Sequence, residues 1–97
     1  MSMANSLSAY CEIQTTRSFW KHYRSLPAHI RQQARRAYQI WRDNPAHPSL
    51  FFKRVREDPP VYSIRIGLGY RALGILKGDT IFWFWIGRHD EYDRLIR

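Results

Sequence analysis

The side chains able to do chemistry in this chain are few, and most are arginines. Thirteen of the sixteen basic residues are Arg, set against eight acidic residues, for a net charge of +8 over 97 residues. A guanidinium is planar and permanently charged, pairs bidentately with phosphate and stacks on bases, so this bias suits a nucleic acid or another polyanion better than lysine would. Arg71 stands in Gly69-Tyr70-Arg71, and Arg88 precedes His89 in Gly87-Arg88-His89. An imidazole titrates near neutral pH and can carry a proton. Fixed positive charge beside a transferable proton is what phosphate chemistry needs. Arg65, on the polar side of an alternating segment, can aim the same way.

Other chemistries find little support. Cys11 is the only cysteine, so neither a disulfide framework nor a cysteine-rich zinc site is expected, and a reducing cytoplasm is the simplest compartment. His22, His29 and His47 fall on different elements without carboxylates at matching spacing, so no metal site and no cofactor are expected. Asp90, Glu91 and Asp93 are read as orienting nearby arginines rather than as a catalytic pair. Gly67-Leu68-Gly69 is a hairpin turn, not a phosphate-cradling loop. No apolar run is long enough to cross a bilayer, and no membrane partner is expected.

The scaffold follows from periodicity. Residues 1–11 are small and polar and read as a flexible leader, leaving 12–97 as a single domain. Residues 12–16 alternate and are β-branched, which suits a first strand. Thr16 or Ser18 can cap a helix carrying Phe19, Tyr23 and Leu26, and Pro27 divides it from a second. That second helix sets Ile30, Ala34, Ala37, Tyr38 and Trp41 on one stripe, with Arg31, Arg35 and Arg42 on the opposite side. No acidic residue occurs from 13 to 42. The three arginines are therefore candidate nucleic-acid contacts, although a solvated basic surface would look the same.

The second half alternates like strands, at 50–55, 61–66, 70–77 and 80–86, with turns at Gly67-Leu68-Gly69 and Gly78-Asp79. Lys53 and Arg54, on the first of these, can grip RNA or simply charge an exposed edge. Residues 81–86 are apolar on both faces, which predicts a central, doubly covered strand. The hairpin at Gly78-Asp79 should bring Arg71 and His89 to one edge of the sheet. The expected architecture is α+β, two N-terminal helices on one face of an antiparallel sheet of four to five strands. Residues 90–97 can form a short helix or a tail.

Strand, paired helices split at Leu-Pro, a meander containing Gly69-Tyr70-Arg71, and a late Ile86-Gly87-Arg88-His89 with Tyr92 together resemble the RelE/ParE superfamily of toxins over roughly residues 12–96. The resemblance implies a type II toxin held by an acidic antitoxin. RelE-like members cleave messenger RNA on the ribosome without metal, by attack of the ribose 2′-OH on the adjacent phosphate; ParE-like members instead poison DNA gyrase, and a basic RNA-binding protein of the same fold is the remaining alternative. On the nuclease reading, Arg71 matches the strand arginine and His89 a late histidine found in several nucleases. Arg88 would bind substrate phosphate. Tyr92 matches a late tyrosine that stacks or assists the base, though a tyrosine closing the core edge fits equally. RelE carries a lysine pair where this chain has Ser63 and Arg65, a departure that weighs against a lysine base.

Overall fold

The computed structural model describes residues 12–96, so the expected leader at 1–11 and Arg97 lie outside the described residues. The order is β1 (Glu12–Thr15), α1 (Arg17–Arg24), α2 (Ala28–Asp43), a 3-10 turn (Pro48–Leu50), β2 (Lys53–Arg56), β3 (Val61–Ile66), β4 (Tyr70–Lys77), β5 (Thr80–Arg88) and α3 (His89–Ile96). Thr16 caps α1 by accepting from the Phe19 N–H at 3.2 Å. Ser25 closes it, its hydroxyl donating to the His22 carbonyl at 2.8 Å. Pro27, extended at ψ 152°, occupies the N-cap position of α2, and its carbonyl accepts from Ile30 and Arg31. Ile30, Ala34, Ala37 and Trp41 form the buried stripe of α2. Tyr38, expected on that stripe, is instead exposed and lies beside Arg42.

The five strands lie in the order β1-β5-β4-β3-β2. From β2 to β5 they form the expected antiparallel meander, but β1 pairs with β5 in parallel, so the sheet is mixed rather than purely antiparallel. The reason is connectivity. The chain leaves β1 through two helices and re-enters at the far edge, and the meander then returns to put β5 beside β1 pointing the same way. Helix α1 continues along β5 past the end of β1, with Thr16 N–H donating to Trp83 O and the Ser18 hydroxyl to Phe84 O. The expected strand at 50–55 begins later, at Lys53, because Pro48 and the His47 side chain, which accepts from Ser49 N–H, hold a 3-10 turn first. Phe51 ends that turn at φ 45°, a left-handed conformation costing a non-glycine residue about 1–2 kcal/mol.

Strand β5 is covered on both faces, as its apolar run predicts. In its register with β4, Leu73 faces Trp85 and Gly74 faces Trp83, which leaves Phe84 as an extra residue. A bulge reverses the alternation, so Trp83 and Trp85 point to opposite sides. Trp83 joins Ile81, Ile86, Trp41 and Ile64 in the core beneath α2. Trp85 joins Val61, Leu73 and Tyr92 in a second core beneath α3. Helix α3 therefore covers the face opposite α2, where the sequence had placed helices on one face only. Among the described residues, no helix is long and apolar enough to cross a membrane.

Gly74 makes the bulge testable. A Cβ there would stand 2.7 Å from the Trp83 ring and 2.9 Å from Ile81 Cγ2. Both neighbours are buried. Gly74→Ala is expected to lower stability by about 1–3 kcal/mol, read as a fall in the urea midpoint with the native circular dichroism retained. An unchanged midpoint would mean that Trp83 is free to move.

Candidate active site

The meander brings the two short motifs to one end of the sheet. Tyr70 pairs with Arg88 and Arg71 with Gly87, and the His89 N–H extends the ladder by donating to Gly69 O at 2.8 Å. Helix α3 starts at His89 and turns its Tyr92 back onto the sheet. The Tyr92 hydroxyl meets the hydroxyl of Ser63, a fully buried polar side chain, at 3.3 Å. This inward hydrogen bond holds the ring, and both candidate groups lie near it. Arg71 lies over it with its guanidinium carbon 5.7 Å from the centroid, and the His89 ring stands 5.6 Å away on a 43° tilt.

Each group is also held separately. Arg71 donates to the Tyr70 carbonyl at 2.9 Å. Burial draws its guanidinium below the ordinary value; Tyr92 and Asp93 oppose that shift and Arg65 reinforces it. The group stays charged at any working pH. On α3, His89 Nδ1 lies 3.3 Å from Asp93 Oδ2, one helical turn on. A carboxylate at Nδ1 orients the imidazole and leaves Nε2 to exchange a proton. The role of Asp93 was missed in the sequence, where it was read as a partner for arginine. Its position four residues after His89 is the sequence signal, since that spacing puts the two on one face of a helix.

Arg65 sits directly across from Arg71 in the β3–β4 ladder, but its Nε is turned to Gly67 O at 3.0 Å and its guanidinium covers Phe51. Lys53 pairs with Ser63 and so shares the face of Tyr92. Arg54, its neighbour, points the other way, against the ring and hydroxyl of Tyr62 and to Glu57 at 3.0 Å. Those partners, Tyr62 first, raise its pKa. Arg88 is exposed and 3.8 Å from Asp90. The three helix arginines stand apart from this site. Arg31 donates to the Leu26 carbonyl across the α1–α2 junction, Arg35 to the Tyr23 hydroxyl at 2.7 Å, and Arg42 lies near Asp43 and Tyr38. Among the described residues, no three of His, Cys, Asp and Glu gather as metal ligands.

A second feature lies on the opposite face. Helices α1 and α2 part over the sheet, leaving a groove of about 560 Å³ with Trp41, Trp83 and Ile86 along it and the exposed Trp20 and Tyr38 at its rim.

The sequence profile of the ParE-like toxin domain family matches residues 28–94. The chain belongs to the RelE/ParE superfamily. A search of curated protein sequences returns no match. Solved structures share the superfamily fold. The RelB–RelE antitoxin–toxin complex from Methanococcus jannaschii aligns at TM-score 0.68 and 20% identity, over 87% of this chain and 99% of that one. The free E. coli toxin RelE, as a mutant, aligns at 0.63 and 18%, covering 84% and 86%. The RelBE2 complex from Mycobacterium tuberculosis aligns at 0.62 and 18%, covering 80% and 96%.

Tyr92 joins the second core to the site, so its ring and its hydroxyl should have separable effects. Tyr92→Phe is expected to cost about 1–2 kcal/mol, chiefly by leaving Ser63 unpaired. Tyr92→Ala should cost about 3–5 kcal/mol, with the protein still folded at low denaturant. Equal losses in urea titrations would show that the ring contributes nothing to α3 docking.

Proposed function

We propose that this chain is the toxin of a toxin–antitoxin pair and cleaves messenger RNA on the ribosome without a metal ion. The observation that supports this best is the Tyr92 ring with Arg71 and His89 both against it, at 5.7 and 5.6 Å. In the reaction, the ribose 2′-oxygen bonds to the adjacent phosphorus and the bond to the 5′-oxygen breaks, leaving a 2′,3′-cyclic phosphate and a 5′-hydroxyl. The 2′-OH proton must be taken up and the departing 5′-oxygen must receive one. His89, oriented by Asp93, serves one of these transfers through Nε2. Arg71 faces the charge that develops on the phosphoryl oxygens, and its partial burial strengthens that interaction. Arg65 and Lys53 extend the positive field along the same face, and Arg88 stands at its end.

Primer extension on translated messages tests this reading. His89→Ala is expected to lower cleavage by about 10²–10⁴ and Arg71→Ala by about 10²–10³, with the fold retained. Asp93→Asn should give a smaller loss. Full cleavage by the His89 variant would remove its catalytic role. No cleavage by the wild type, together with inhibition of DNA supercoiling, would transfer the protein to ParE-like action on gyrase.

The antitoxin is expected to be an acidic, partly disordered chain that folds on binding. Antitoxin–toxin complexes are among the structural relatives. Here the groove between α1 and α2 offers apolar anchoring, and the segment 13–42, which spans both helices up to Asp43, carries no acidic residue. Trp20→Ala and Tyr38→Ala should each weaken binding of the antitoxin from the adjoining gene by about tenfold or more, and rising salt should weaken it further. Unchanged affinity in both variants would place the antitoxin elsewhere on the protein.

A further inference from the structure

Phe51 is poorly explained as a structural residue. It is 57% exposed and belongs to neither hydrophobic core. It adopts φ 45° at the end of the 3-10 turn, a position where glycine or asparagine is the usual choice. An outlier of this kind persists where the surroundings hold it, and it is a recurring mark of functional sites.

Its surroundings do hold it. The guanidinium carbon of Arg65 lies 5.1 Å from the centre of the Phe51 ring, and Arg65 is itself anchored through Nε to Gly67 O. Lys53 pairs with Ser63, Arg65 follows Ser63 on the same face of β3, and Phe51, two residues before Lys53, meets Arg65. Arg65 in turn stands opposite Arg71, and Arg71 opposite Gly87, with His89 just beyond. Across this end of the sheet the succession is therefore an aromatic ring, two cations and the proton carrier. Two strand spacings, about 10 Å, separate the line of Phe51 from the line of Arg71. That is within reach of a phosphate and a base on neighbouring nucleotides.

We infer that Phe51 is a stacking platform for a nucleobase of single-stranded RNA, holding it beside the phosphate gripped by Arg65 and Arg71. This rests on reading the Arg71–His89 face as an RNA site. An exposed ring backed by a guanidinium offers a π surface to a flat, electron-rich partner, and the adjacent positive charge selects a partner with an anionic backbone. Base–aromatic stacking is tolerant of sequence, so this subsite strengthens binding and fixes register without dictating a codon.

The test uses the full chain, a short single-stranded RNA and low salt, with 2-aminopurine placed in turn at each position as a stacking reporter. Wild type should quench the reporter at one position, and Phe51→Trp should keep that quenching. Phe51→Gly should abolish it and weaken binding about tenfold. The same glycine variant should melt at the wild-type temperature or above it, because glycine takes the left-handed conformation without strain. A lower melting temperature with unaltered RNA binding would show a structural anchor and overturn the proposal. So would position-independent quenching by the wild type. Binding is read without cleavage, so the two readings fail separately. If the wild type cuts no message yet its RNA binding depends on Phe51, the nuclease reading falls and the platform stands. If cleavage and binding both survive Phe51→Gly, the platform falls and the nuclease reading stands.

Discussion

Strand β5 has to face two cores at once, and the extra residue at Phe84 lets neighbouring tryptophans divide between them. In regular alternation Trp83 and Trp85 would share a face. With the bulge, Trp83 packs edge-on against Trp41 of α2 at 5.8 Å, and Trp85 lies with Leu73 and Tyr92 beneath α3. Gly87 fits the same arrangement, since a Cβ there would stand 2.5 Å from the Trp85 ring. The second core is small, but it is what docks α3. Without α3 on that face, neither Tyr92 nor the His89–Asp93 pair would be positioned.

The site that results sets two guanidinium groups on neighbouring strands. Like charges directly opposed on antiparallel strands are destabilising, and Arg65 and Arg71 are such a pair. Arg65 relieves part of the repulsion by leaning to Gly67 O and over Phe51. Arg71 stays half-buried against Tyr92, where burial weakens its hold on its proton without discharging it. Asp93 pairs with His89 and also offsets part of the effect of burial on Arg71.

Positive charge elsewhere has more local uses. Arg31 ties the start of α2 to the last turn before Pro27, and Arg35 bridges to Tyr23 on α1. These contacts hold the two helices at the separation that leaves the groove open between them. The arginine-rich helix is thus partly a structural brace. Replacing its arginines as a set would disturb the helix junction as well as the surface charge.

Much of this was legible from local pattern. The capping threonine, the Leu26-Pro27 break, the buried stripe of α2, the two glycine turns and the doubly apolar β5 all follow from residue type and spacing over a few positions. So does the meeting of Gly69-Tyr70-Arg71 with Gly87-Arg88-His89, because a hairpin fixes which ends adjoin. Other features depend on contacts between segments far apart in sequence. Nothing local says that β1 runs parallel to β5, that Phe84 is skipped in the ladder, or that α3 crosses to the second face. Tyr38 was placed in the core by its spacing, yet the divergence of α1 from α2 exposes it. Lys53 and Arg54 are adjacent in sequence, but the pleat sends one toward Tyr92 and the other toward Tyr62. The sequence by itself determined the elements, the charge and the residues capable of chemistry, since these depend on side-chain type and short-range spacing. Only the tertiary structure decided which of those residues share a face, because register and helix docking depend on how distant side chains fill two cores together.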